Sequence, residues 1–228
     1  MLARLTVFTF ALCFLPLTCL SQEDKVQLQF VSFPRLTTAE PVELLIGEGK
    51  TVKVELPTNR LSPVYTVDRL SKWALGKSST DKEGNFKFET YGSAASLSSN
   101  RQLVLVIRKG ALDSDGFKFI MMDNSLKKFG GGMYFFMNAS KVDIAVKLGN
   151  EKLALKPRAY KLVKPEPSEV KDKRKYLYTL VHYRRGNEAI PFYTSTWRYS
   201  DRARCMVFFY HDPHTNQLRT HTIRNYIE

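Results

Sequence analysis

The residues best able to do chemistry crowd toward the C-terminus. His211-Asp212-Pro213-His214 together with His221 offers three imidazoles and a carboxylate, a donor set that zinc or copper accepts when the geometry converges. The same tract is also turn chemistry. Asp-Pro followed by Thr-Asn closes a hairpin, so His211 and His214 flank a loop and His221 lies on the returning strand. Strand alternation need not hold all three on one side, and the sequence implies neither a metal nor a cofactor.

Nucleophilic catalysis has no better footing. There is no G-x-S-x-G elbow and no Cys–His pair in a catalytic context. The two S-x-x-K strings, Ser125–Lys128 and Ser168–Lys171, do not precede helix patterns. Gly130-Gly131-Gly132 leads into a strand, with no helix N-terminus to face a phosphate. Cys205 sits in the run Cys205-Met206-Val207-Phe208-Phe209-Tyr210 and is expected as a buried small hydrophobe. The chain is therefore expected not to be an enzyme. The competing expectation is a hydrolase or metal-dependent enzyme with its site between two β halves, around Lys128–Met133 and His211–His221.

Arginine beside aromatic rings is the remaining chemical signal. Trp197, Arg198, Tyr199, Arg202 and Arg204 lie within eight positions, a mixture that holds anionic groups through charge and stacking. These five are the candidate anionic-ligand surface. The whole chain is basic, with 35 Lys and Arg against 22 Asp and Glu and a formal net charge of +13. The densest basic segment is Lys156–Lys175, which its prolines mark as a loop.

Compartment narrows the partner. Arg4 followed by the uncharged apolar stretch Leu5–Leu17 and by Cys19-Leu20-Ser21 has the form of a secretory signal cut before Gln22. The apolar stretch is short for a membrane span, and Thr18 before Cys19 departs from a lipobox. Cleavage removes Arg4, Cys13 and Cys19, leaving a net charge of +12 and Cys205 as the lone cysteine, without a disulfide. Export points away from nucleic acid. The expected partners are anionic glycans or lipid head groups, or another envelope protein, with the chain periplasmic, at the cell surface or extracellular. Asn138-Ala139-Ser140 fits a glycosylation sequon, a tripeptide that also occurs by chance.

The elements that would position these residues are strands. Apolar alternation in short blocks broken by Gly, Pro, Asn and Asp predicts Val26–Phe33, Val42–Ile46, Thr51–Leu56, Val64–Val67 and Leu103–Ile107 in the first half. It predicts Met133–Met137, Val142–Leu148, Leu153–Lys156, Leu177–Tyr183 and Met206–Tyr210 in the second. Only Leu70–Leu75 suggests a helical turn. The blocks also echo at about a hundred residues. Leu28–Phe33 parallels Met133–Asn138, Val42–Gly47 parallels Asp143–Gly149, Thr51–Leu56 before Pro57 parallels Lys152–Lys156 before Pro157, and Leu103–Ile107 parallels Met206–Tyr210. The chain is thus read as an all-β duplication: a signal peptide at 1–21, a first β-sandwich-like domain at 22–128 and a second at 129–228, joined at the triple glycine. The rival is a single sandwich sharing strands between halves.

The second half also carries a resemblance. Phe135–Ser140, Leu148-Gly149, Leu155-Lys156-Pro157, Ser195-Thr196-Trp197, Arg202–Arg204 and the ending Ile223-Arg224-Asn225 together resemble exported β-sandwich proteins of unknown function from Gram-negative bacteria. The resemblance implies a secreted β-sandwich and no known activity. The expected role is a non-enzymatic binding or structural module of the bacterial cell envelope, directed at anionic surface polymers.

Overall fold

The computed structural model describes residues 24–34, 41–109, 115–167, 169–171, 174–212 and 215–227. The expected signal segment and His214 lie outside them. The chain is all-β, as its alternation predicts, with no α-helix among the described residues. The first half supplies β1 (Lys25–Phe33), β2 (Val42–Gly47), β3 (Lys50–Val54), β4 (Tyr65–Asp68), β5 (Lys72–Thr80), β6 (Phe86–Ala95), β7 (Arg101–Arg108) and β8 (Phe117–Asp123). The second supplies β9 (Tyr134–Asn138), β10 (Ile144–Leu148), β11 (Glu151–Leu155), β12 (Tyr160–Val163), β13 (Glu169–Lys171), β14 (Arg174–Arg185), β15 (Glu188–Tyr199), β16 (Ala203–His211) and β17 (Leu218–Tyr226).

The two halves repeat one topology. Sheet order β4-β1-β7-β8 matches β12-β9-β16-β17, and β3-β2-β5-β6 matches β11-β10-β14-β15, with β13 an extra strand beside β14. Even the unusual parallel pairs correspond, β1 with β7 and β9 with β16. No sheet among the described residues mixes strands from the two halves, so each half is a sandwich of its own strands.

Packing explains which strands read most strongly in the sequence. Leu28 and Phe30 enter the core of the first sandwich with Leu44, Trp73 and Leu75. Tyr134 and Phe136 enter the second with Val146, Leu177 and Val181. The opposite faces of the same strands, Val31 and Phe33 on β1 and Phe135 and Met137 on β9, meet in a third cluster with Leu103, Leu105, Met206 and Phe208. That cluster joins the halves. The sheets containing β7 and β16 are therefore covered on both faces, and both strands read as unbroken apolar runs. Each large ring buried this way contributes about 1.5–3 kcal/mol.

Two local expectations are corrected. Leu70–Leu75 is no helical turn: Lys72–Thr80 is β5, paired with β6 along its whole length. Trp73 and Leu75 fill the first core from alternate positions, and that burial outweighs local propensity. The basic segment Lys156–Lys175 is not simply a loop, since β12 pairs with β9 and β13 with β14. At the junction, a Cβ on Gly131 would stand 1.7 Å from the Asp201 carbonyl oxygen, and Gly132 combines a φ of 75° with the Tyr199 hydroxyl 2.1 Å from its Cβ position. These glycines serve close packing of the junction on the β15–β16 turn.

Candidate functional site

The two sandwiches differ along one lateral edge. In the first, β6 closes onto β8: a Cβ on Gly92 would lie 2.8 Å from the Phe117 carbonyl oxygen. Tyr91 packs edge-on against the Phe117 ring at 5.8 Å. In the second, register puts Tyr193 where Gly92 stands. Leu75 pairs with Gly92 and Val181 with Tyr193, and both hairpins slip at the same point, after Leu75 and after Val181. A tyrosine cannot fit where the first half tolerates only hydrogen. The edge stays open, leaving a cleft of about 340 Å³ between β15 and β17.

The cleft is chemically mixed. Trp197 lines it while stacking on Tyr134 at 6.0 Å and Phe136 at 6.4 Å, and its indole N–H donates to the Tyr193 hydroxyl at 3.1 Å. Across the gap, Thr220, Thr222 and Arg224 alternate along β17 onto one side. Arg224 Nη2 donates to the Arg198 carbonyl at 2.8 Å and ties the two edges together. Thr220 Oγ1 is buried without a hydrogen-bond partner, a lost interaction in the wall behind the cleft. Cys205 also lines the cleft, and burial pushes its thiol up from the usual range, keeping it protonated rather than nucleophilic.

The five arginine and aromatic residues singled out by the sequence do not form one surface. Trp197 lines the cleft with its side chain, whereas Arg198 is exposed on the other face of β15 and reaches the cleft through the carbonyl that accepts from Arg224. Tyr199 is buried beneath the Gly132 turn, and that burial, reinforced by Asp201, raises its phenol to about 12. Arg202 is exposed in the turn before β16. Arg204 is only 4% exposed and sits at the seam between the halves. Alternation along β15 and β16 separates side chains that adjacency in sequence brings together. Tyr193, Thr220, Thr222 and Arg224 were not singled out. The available signal was the break in the internal echo where Gly92 becomes Tyr193.

The histidines do not converge among the described residues. His221 pairs with Phe208 and His211 with Leu218, an odd separation that turns the two imidazoles to opposite faces of the sheet. His221 Nε2 meets the Thr58 carbonyl at 2.7 Å within the seam. His211 Nδ1 accepts from the Lys141 N–H, and His182 is on the other sheet. Along the seam, Phe33 stacks on Phe208 at 5.2 Å and Phe135 packs against Phe208 at 6.3 Å, so apolar rings occupy the space beside Met133 and His221. Asn138 of the sequon is fully buried, its amide donating to the Val142 and Leu155 carbonyls at 2.7 and 2.8 Å, and it is a structural residue in this fold.

The fold and the cleft define a class: a duplicated β-sandwich protein with one closed and one open lateral edge. No protein-family model matches the chain, and no curated protein matches it.

Proposed function

We propose that the protein is an exported, non-enzymatic binding module of the bacterial cell envelope that holds a segment of an anionic surface polymer in the β15–β17 cleft. The supporting observation is the open edge itself, found among the described residues in the half where Tyr193 replaces a glycine and furnished with Trp197, Arg224 and Thr222. Aromatic rings stack on the apolar faces of sugar rings, guanidinium groups take carboxylates or phosphates, and hydroxyls match sugar hydroxyls. The net charge of +13 draws such polymers to the surface.

The test is affinity electrophoresis and calorimetry with polygalacturonate, heparin and neutral dextran. Retention by the two polyanions at low salt, weakening as salt screens the charges, is the expected outcome, with no binding to dextran. Arg224→Gln, at an exposed position on the β17 side of the cleft, should weaken polygalacturonate binding by about tenfold. Flow-through at low salt, or an undiminished Arg224→Gln variant, would overturn this reading.

A further inference from the structure

A second cavity, separate from the cleft, opens where the halves meet. It has a volume of about 200 Å³ and is lined by Gln27, Gln29, Arg101, Asn124 and Arg204, room for roughly six waters or one small acid. Two of its groups are buried yet incompletely satisfied.

The first is Arg204, 4% exposed. Its Nε donates to Asn225 Oδ1 at 2.9 Å, and its Nη1 donates to the Phe129 carbonyl at 2.7 Å and weakly to the Asn124 carbonyl at 3.5 Å. The Phe129 ring covers one face at 4.8 Å. Nη2 has no acceptor among the described residues, and no carboxylate pairs with the guanidinium. Desolvation lowers it to about 10, the mark of a buried cation without a counter-charge.

The second is Asn124, 7% exposed, whose Oδ1 is buried with no partner. Its orientation is fixed by a chain of bonds. Gln29 Nε2 donates to the Ser62 carbonyl at 2.9 Å, which leaves Gln29 Oε1 as an acceptor, and Asn124 Nδ2 fills that role at 2.9 Å. Flipping Asn124 would set oxygen against oxygen. Its Oδ1 is therefore an acceptor without a donor, enclosed where no water can touch it.

We infer that this seam cavity is a binding site for a small carboxylate, which takes the free Nη2 of Arg204 with Arg101 alongside. A cation with no counter-charge selects acids over neutral sugars. A free carboxylic acid and the end unit of a polyuronate chain share this chemistry. The inference does not depend on the cleft: the two cavities have no lining residue in common.

The experiment is calorimetric and NMR titration of the intact protein with D-galacturonate, lactate, acetate and galactose. Saturable binding of galacturonate, lactate or acetate is expected, with galactose inert. Arg204→Lys should lose at least tenfold. Because Arg204 also holds the junction, Arg101→Gln, at an exposed side chain, is the second variant, with a loss of about threefold. Arg198→Gln should bind as the wild type does. Competition by trigalacturonate against bound lactate would assign the site to chain ends, and its absence to free acids. No saturation by any of the acids at 20 mM, galactose binding as well as lactate, or loss of binding in Arg198→Gln would each overturn the proposal.

Discussion

Asn138 shows how a residue that reads as a modification signal can be structural. Its Nδ2 caps the Val142 and Leu155 carbonyls, while Oδ1 accepts from the Ser140 N–H and hydroxyl at 2.9 and 2.6 Å. In the first half Ser32 does comparable work, its hydroxyl donating to the Leu56 carbonyl at 2.7 Å. Asn138→Ala would leave the buried Leu155 carbonyl without its donor and the Val142 carbonyl with only the Ser140 hydroxyl, at a cost of about 2–4 kcal/mol, measurable as a lower urea midpoint at unchanged slope. Asp123 makes a second residue-level case. Burial alone would raise its carboxyl, but hydrogen bonds from the Ser125 N–H at 2.9 Å and the Ser99 hydroxyl at 2.8 Å outweigh it and leave the group below its ordinary value. A carboxyl depressed on folding stabilises above its unfolded pKa, and that contribution fades as pH falls through the folded value. The stability difference between wild type and Asp123→Asn should therefore be fully present at pH 7 and shrink below about pH 4, as urea titrations at both pH values would register. Neither role was legible in sequence, because each depends on carbonyls or hydroxyls brought close only by folding.

At the scale of elements, the sequence echo located the strands better than their register. Leu103–Ile107 and Met206–Tyr210 correspond residue for residue: Leu103, Leu105, Met206 and Phe208 face the seam, and Val104, Val106, Val207 and Phe209 face their own cores. The echo of Leu28–Phe33 in Met133–Asn138 is one residue out. Phe30 sits opposite Val104 and Phe136 opposite Val207, so Phe30 matches Phe136 and not Phe135. Aromatic residues in adjacent positions leave that slip invisible, since both faces of the strand are buried and alternation carries no contrast. Strand β5 was missed, because Gly, Ser and Thr dilute its pattern although its inward residues include Trp73 and Leu75. Gly92 tests the account of the open and closed edges. In Gly92→Ala the new methyl would meet the Phe117 backbone at 2.8 Å, forcing β6 from β8. A loss of about 1–3 kcal/mol is expected, along with faster amide exchange in β6 and β8 and little change in β15 and β17.

At the scale of the whole molecule, the decisive feature is the apolar seam. The sequence showed two halves but could not show that they share a core, since a strand buried on both faces looks the same whether its second face meets its own sandwich or a neighbour. Phe208 stands at the centre of that contact, fully buried and touching Phe33 from one half and Phe135 from the other. A seam of this kind couples the sandwiches energetically, unlike the polar and hydrated contacts typical between mobile domains. Two consequences follow from the same surface. Calorimetry of the intact chain should show one unfolding transition, and Phe208→Ala should lower it by about 3–5 kcal/mol, enough either to shift the single transition strongly or to split it in two. The first half expressed alone, ending at Lys128, would expose Val31, Phe33, Leu103 and Leu105 as one apolar face, and it should bind a hydrophobic dye and self-associate. A half that stays monomeric and dye-free, with Phe208→Ala unfolding at the wild-type temperature, would show that each sandwich stands without the other.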